Sequence, residues 1–384
     1  MGVKKLCFGL LFAAMLLLLA AFPAFAFDVN AAAAILIDAN SGHIIYEQNA
    51  HESLAPASTT KVLTALVTLE EVEDLSQKVT LPEDFQNVGE SGIYLEAGET
   101  HSIEDLLYAL MLRSANDAGQ ALGIGVAGSE EAFVELMNSR TEELGLKDSH
   151  WDNPHGLDAE DHYTSAHDLA MITRQAMTIP KFNELIVSES WTMPWESNEY
   201  DRSLYNHNQL LDLYEGADGV KTGYTSKSGS CLVGSATRNG LRLIGVVLNC
   251  DEHYEEMCRL LDYGFASYES VPVGKKGDVV GSVKVLNGNV KRLEAVLAED
   301  AKITLEKGAS ADVSPEYEFS QALEAPLQAG EVIGRACFTH KSGIKTEVPI
   351  CVKGEAERYT FGLVWQKVWQ TFFSALLGPL EAEE

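Results

Sequence analysis

The chain has 384 residues, 46% of them hydrophobic and 22% charged, with a formal net charge of −29. That length exceeds one ordinary domain of ~150 residues and points to two, while the composition excludes a disordered chain and a polytopic membrane protein. The acidic balance excludes nucleic acid as a partner, since neutralising phosphates needs clustered Lys and Arg, and an anionic ligand would have to be recognised by local groups.

Residues 1–26 read as a secretory signal: Lys4 and Lys5 form the basic start, an apolar run follows from Phe8, and Ala24-Phe25-Ala26 supplies small residues for cleavage. A retained N-terminal anchor is the alternative. Residues 33–38 and 44–46, joined by Asn40-Ser41-Gly42, read as two strands and a tight turn. Pro56 opens a helix whose apolar residues Val62, Leu63, Leu66, Val67 and Leu69 cover more than one face, so it is expected to be buried. Ser102-Ile103-Glu104-Asp105 starts a second helix, and a third is expected over residues 129–144, closed by Gly145. Residues 230–236 and 243–248 around Arg238-Asn239-Gly240 predict another hairpin, followed by a helix near 255–265.

Beyond about residue 270 the chain changes to short alternating stretches between Gly and Asn turns, the texture of a small all-β domain. Near the end, Phe361, Val364, Trp365, Val368, Trp369, Phe372, Phe373 and Leu376 gather on one side of a helix, which favours a helix lying in a membrane interface over one docked on the protein itself. Once Cys7 leaves with the signal, Cys231, Cys250, Cys258, Cys337 and Cys351 remain, an odd number without C-x-x-C spacing; buried, inert thiols are favoured over disulfides.

Chemistry is concentrated in three places. Ser58-Thr59-Thr60-Lys61 sets a hydroxyl and an amine three residues apart at a helix start, so that they project from one face. A neutral Lys61 could deprotonate Ser58 if burial and a second cation lower its pKa from about 10.4. Ser114-Ala115-Asn116 follows, and then Lys221-Thr222-Gly223 on a strand: a cation and a hydroxyl for a carboxylate, and a glycine permitting close approach. S-x-x-K spacing alone is weak, since Ser342-Gly343-Ile344-Lys345 shares it; there the Gly between two β-like stretches predicts a hairpin turn. The three elements together are a known signature of β-lactamases and penicillin-binding proteins.

On these residues, together with Pro56-Ala57, Asn116-Asp117-Ala118, Asn153-Pro154-His155-Gly156-Leu157-Asp158 and Asp218-Gly219-Val220, the chain resembles the low-molecular-mass penicillin-binding proteins that act as serine D-Ala-D-Ala carboxypeptidases. The resemblance implies an α/β fold with an antiparallel sheet between helical layers over residues 27–268, a β-rich domain over 269–354 and an amphipathic membrane-associating helix over 357–380. It makes Ser58 the acylated nucleophile, Lys61 the general base, Ser114 and Asn116 the proton relay and substrate-amide contact, and Lys221 and Thr222 the carboxylate pair. Ser58 and Tyr224 would supply the oxyanion N–H groups. Peptidoglycan stem peptide and β-lactams are the implied partners, at the outer face of the cytoplasmic membrane. No metal or organic cofactor is expected, because neither H-E-x-x-H nor clustered Cys and His occurs.

Two departures stand out. Ala115 replaces the usual glycine of the middle element, and Asp251-Glu252-His253-Tyr254 stands where relatives often carry an Arg near the carboxylate, leaving His253 as a partial replacement. His155 and His162 read as hydrogen-bonding loop residues, because Lys61 already fills the base role. Trp191, Trp195 and Tyr200 could line a peptide groove or simply pack. Two rival functions are a β-lactamase, against which stands the lack of a Glu-x-x-Leu-Asn segment between Asn116 and Lys221, and a silent wall-binding scaffold, which would need neither lysine.

Overall fold

A computed structural model describes residues 27–195, 198–360, 362, 365 and 368–373. The expected signal, residues 1–26, lies outside the described residues. The first strand, β1 (Ala33–Asp38), is buried at all six positions, so both faces of its sheet must be covered. It pairs antiparallel with β2 (Ile44–Gln48). The chain then makes a 3-10 turn, Ala57–Thr60, and the buried helix α1 (Lys61–Glu71).

Two strands, β3 (Lys78–Thr80) and β4 (Thr100–Ser102), form a small ribbon that leads into α2 (Ile103–Leu112). Ser102 caps α2 by accepting from the Asp105 N–H, as the capping-box sequence predicts. Next come α3 (Asn116–Ala127), α4 (Glu130–Glu143), α5 (Ala166–Ala176) and α6 (Pro180–Val187). The ribbon β5 (Ser190–Met193) and β6 (Arg202–Tyr205) and the single turn α7 (Leu210–Leu213) precede three long strands. These are β7 (Ala217–Thr225), β8 (Gly229–Arg238) and β9 (Leu241–Leu248), closed by α8 (His253–Ser267).

The sheet order is β2-β1-β9-β8-β7, antiparallel throughout. Side chains alternate across it. Ile35 and Ile37 join the core with Val62, Leu63, Leu66, Phe133 and Trp151 on one side. On the other, Leu36 and Leu243 meet α8 where it carries Gly264, whose absent Cβ would lie 2.6 Å from both leucines. The α/β layering that the resemblance implies is the observed one, with α3, α5, α6 and α7 present in addition to the helices placed from the sequence.

From β10 (Tyr268–Gly274) onward the chain is all β. It forms β11 (Val279–Leu286), β12 (Arg292–Leu297), β13 (Ala301–Glu306), β14 (Val313–Phe319), β15 (Ala322–Glu324), β16 (Val332–His340) and β17 (Lys345–Lys353). A six-stranded sheet, β14-β16-β17-β12-β11-β15, encloses its own core of Ala295, Leu297, Ala336, Phe338, Val348 and Ile350, and β10 pairs with β13. Gly343, at φ 91, turns the chain between β16 and β17, so Ser342 and Lys345 sit in a hairpin and Ser342 Oγ bonds His340 Nδ1.

Residues 368–373 are helical, and Trp365, Val368, Trp369, Phe372 and Phe373 are exposed. Much of the terminal helix expected over 357–380 lies outside the described residues, Leu376 included. No helix among the described residues is long and apolar enough to cross a membrane. Cys231, Cys250, Cys258, Cys337 and Cys351 are all free thiols. Burial pushes the Cys231 thiol up to about 11 and that of Cys250 up to about 12, which suppresses thiolate chemistry.

Phe133, on α4, is fully buried against Gly123 of α3. Phe133→Ala should cost about 3–5 kcal/mol, seen as a lowered urea midpoint with an unchanged slope.

Candidate active site

Everything at the site is referred to the short turn that carries Ser58. Ala57 is left-handed at φ 49, and the chain passes through Ala57–Thr60 before α1 begins at Lys61. Thr59 Oγ1 donates to the Pro56 carbonyl at 2.6 Å, and Thr60 Oγ1 donates to that of Ala57 at 2.8 Å. A third support comes from His162. Its Nδ1 accepts from the Asp152 N–H at 3.0 Å, so the ring proton sits on Nε2 and is donated to Thr60 Oγ1 at 2.8 Å. Burial first, and nearby His155, His150 and lysines second, hold the pKa of His162 down to about 3, which keeps it neutral. His162 is thus a structural hydrogen-bonding residue, as expected.

Two glycines let other elements close on this turn. A Cβ on Gly156, at φ 87, would sit 1.9 Å from the Ala57 carbonyl oxygen. One on Gly223 of β7 would sit 2.9 Å from Ser58 N and 3.0 Å from Thr59 N. Gly223 therefore brings the strand edge against the turn that carries Ser58, a close approach of backbone to backbone.

Lys61 is completely buried. Its Nζ meets Ser58 Oγ at 2.8 Å, Asn116 Oδ1 at 2.7 Å and the carbonyl oxygen of His155. Desolvation is the largest influence on the amine and the positive charge of Lys221 the next; together they lower its pKa well below the usual lysine value, against weaker opposition from Asp117 and Glu90. Ser58 as a residue is half-buried, whereas Lys61 beside it is sealed from solvent.

Asn116 opens α3. Its Nδ2 donates to the Gly89 carbonyl at 3.0 Å and its backbone N–H to that of Ser91 at 2.8 Å, which ties the 86–95 loop to the site. Asp117, fully buried, completes that tie by accepting from Asn87 Nδ2 and from the backbone N–H groups of Ile93 and Leu95. This organising role was not legible beforehand, although Asp117 lay inside the motif. Ser114 carries the left-handed conformation of the segment, φ 56, and Ala115 has φ −67 and ψ 119, so an alanine methyl there meets no backbone penalty. Among the described residues the Ser114 and Thr222 hydroxyls make no hydrogen bond.

Lys221 is buried on β7, its Nζ donating to the Thr222 carbonyl at 2.9 Å, and desolvation lowers its pKa to about 7. Thr222 is half-buried beside it, and Tyr224 is 68% exposed one step beyond Gly223. The structure thus brings Ser58, Lys61, Asn116, Lys221 and Gly223 together. His253, at the first turn of α8, packs its ring on Tyr254 with centroids 4.4 Å apart, and its Nδ1 is buried without a partner. No hydrogen bond joins His253 to the cluster among the described residues. Trp191 stacks on Tyr108 at 3.8 Å and donates to Asp105, Trp195 lies under the Arg202 guanidinium at 4.1 Å, and Tyr200 is exposed. The first two are packing residues.

Comparison with known proteins agrees with this geometry. The sequence pattern of the peptidase S11 family of D-alanyl-D-alanine carboxypeptidases matches residues 20–252, and that of the penicillin-binding protein 5 C-terminal domain matches residues 268–358. The D-alanyl-D-alanine carboxypeptidase DacF of Bacillus subtilis is 34% identical over 343 residues, covering 86% of this chain and 87% of that protein. Penicillin binding protein 5 from Haemophilus influenzae superposes with a TM-score of 0.65 at 30% identity, covering 87% of this chain and all of its own. A peptidoglycan synthesis regulatory factor (PBP3) from Streptococcus pneumoniae gives 0.71 at 28% identity, covering 86% of this chain and all of its own.

A buried lysine whose pKa falls on folding costs stability at every pH below its unfolded value. For Lys221 that cost is fully present below about pH 7 and fades as pH rises towards about 10.4, where the unfolded chain also loses its proton. Lys221→Met should therefore raise stability at neutral pH, on the order of 1–3 kcal/mol, and flatten the rise of stability with pH. Thermal unfolding at several pH values reads both effects.

Proposed function

The chain belongs to the S11 family of D-alanyl-D-alanine carboxypeptidases, and from that premise we propose that Ser58 removes the terminal D-Ala of peptidoglycan stem pentapeptides by way of an acyl-enzyme. The observation that carries the assignment is the 2.8 Å contact between Ser58 Oγ and a fully buried Lys61 amine whose pKa is depressed. In its neutral form that amine takes the hydroxyl proton as Oγ attacks the penultimate D-Ala carbonyl. The backbone N–H groups of Ser58 and Tyr224 receive the oxyanion, each donor of this kind lowering a barrier by ~3 kcal/mol.

Lys221 and Thr222 hold the terminal carboxylate. A carboxylate beside Lys221 favours the charged amine, so binding substrate restores the cation that desolvation weakens in the empty site. That cation in turn keeps Lys61 neutral. Asn116, fixed through Lys61 and Gly89, has a second amide hydrogen for the substrate backbone, and the uncommitted hydroxyl of Ser114 passes the proton to the leaving amine of D-Ala. Water then cleaves the ester, and penicillins acylate the same serine.

A β-lactamase is disfavoured by the appended β domain and by the relatives' carboxypeptidase identity, and a silent scaffold by the two buried lysines, which destabilise a protein that does not use them. The basic, apolar and small-residue zones of 1–26 support export, and the exposed Trp365, Trp369, Phe372 and Phe373 support attachment of the C-terminus to the outer face of the cytoplasmic membrane. His253 is a candidate for the rim of the carboxylate site.

Incubating the enzyme with a pentapeptide ending in D-Ala-D-Ala should release D-Ala, and Ser58→Ala should abolish both release and fluorescent-penicillin labelling; release undiminished by that substitution would reject the assignment. The pH dependence has a defined sign. Acylation by penicillin should accelerate as pH rises through the lowered pKa of Lys61. Lys221→Met removes the like charge, so that limb should move to higher pH as the overall rate drops, measurable by stopped-flow acylation.

A further inference from the structure

Away from the catalytic turn, three residues from distant parts of the sequence present metal-ligating atoms to one another. His51 follows β2, Asp148 lies in the loop after α4, and His167 sits in the first turn of α5; one ligand atom from each falls within 4.8 Å of the others. We propose that His51, Asp148 and His167 form a binding site for a divalent transition ion of the Zn²⁺ class, independent of the acyl chemistry at Ser58.

The donor set suits that class: two imidazoles and a carboxylate leave a fourth position for water in a tetrahedral shell. Zn–N and Zn–O bonds of about 2.0–2.1 Å place tetrahedral ligand atoms about 3.3 Å apart. Here His51 Nδ1 and Asp148 Oδ2 are 2.7 Å apart and the two imidazole centroids are 4.5 Å apart, so small rotations bring all three to bonding distance. His51, with its side chain 60% exposed, is the ligand free to make that adjustment.

The surroundings supply what metal histidines commonly have. His167 Nδ1 lies 3.0 Å from Asp168 Oδ1, a carboxylate with a side chain only 1% exposed. Donation along that bond leaves Nε2 as the lone-pair nitrogen and fixes the ring. Asp168 Oδ2 also accepts from Asp148 N at 2.8 Å and from Ser149 Oγ at 2.9 Å, so one buried carboxylate orients two of the three ligands. The third is tied in through the backbone, where His167 N–H donates to the Ala50 carbonyl at 2.9 Å.

Such an ion would clip the segment leading into Pro56 and Ser58 to the loop that presents the His155 carbonyl and His162. The test uses the purified full chain, stripped with chelator and titrated with Zn²⁺ against a chromophoric chelator, together with Co²⁺ visible absorption as a geometric readout. One equivalent is expected per chain, with the strong d–d bands of a four-coordinate Co²⁺ site and a Tm that rises with Zn²⁺. His51→Ala and His167→Ala should each weaken binding about tenfold or more. Saturable binding that survives both substitutions unchanged, or no saturable equivalent at all, would overturn the proposal. Because His51 is solvent-exposed and its removal leaves the core intact, His51→Ala decides the matter even if His167→Ala folds poorly.

Discussion

A lysine amine sealed from water is the constraint to which the rest of the catalytic domain conforms. Lys61 Nζ has three oxygen partners, Ser58 Oγ, Asn116 Oδ1 and the His155 carbonyl, and each comes from a different part of the chain. Desolvation and the neighbouring Lys221 charge both oppose its protonation. A lysine with an ordinary pKa is protonated at neutral pH, and burial beside a second amine favours the neutral form that the proposed proton transfer from Ser58 needs.

Keeping that amine dry requires the turn, the loop and the strand to touch, and the sequence around them is shaped by this demand. Gly156 and Gly223 are placed where any side chain would collide with the backbone of residues 57–59. The Asp152, His162, Thr60 and Ala57 chain of hydrogen bonds has one direction only, fixed by the backbone donor at its start.

The cost is electrostatic. Two buried lysines oppose folding, and a large apolar core of Ile35, Leu66, Phe133 and Trp151 offsets them. In a chain of net charge −29 the Lys221 amine, when it carries its proton, is a local positive point beside the turn that holds Ser58. The β domain has a separate sheet and core, so its packing places no demand on the site.

Much of this was legible in order along the chain. Periodicity placed individual strands and helices, and helical spacing set Ser58 and Lys61 on one face, whereas the layering and the grouping of these two with Asn116 and Lys221 were implied by the resemblance of the motifs to penicillin-binding proteins. The hairpin at Ser342 and Lys345 could be told from Ser58 and Lys61 because a glycine between two alternating stretches marks a turn. What the sequence left open depends on contacts between residues tens of positions apart: the part of Asp117 in tying down the 86–95 loop, the carbonyl of His155 on Lys61, the tautomer of His162, and the meeting of His51, Asp148 and His167. No local periodicity encodes these, because each arises only when the folded layers bring separate loops within bonding distance, and the depression of the lysine pKa follows from that same closure against water.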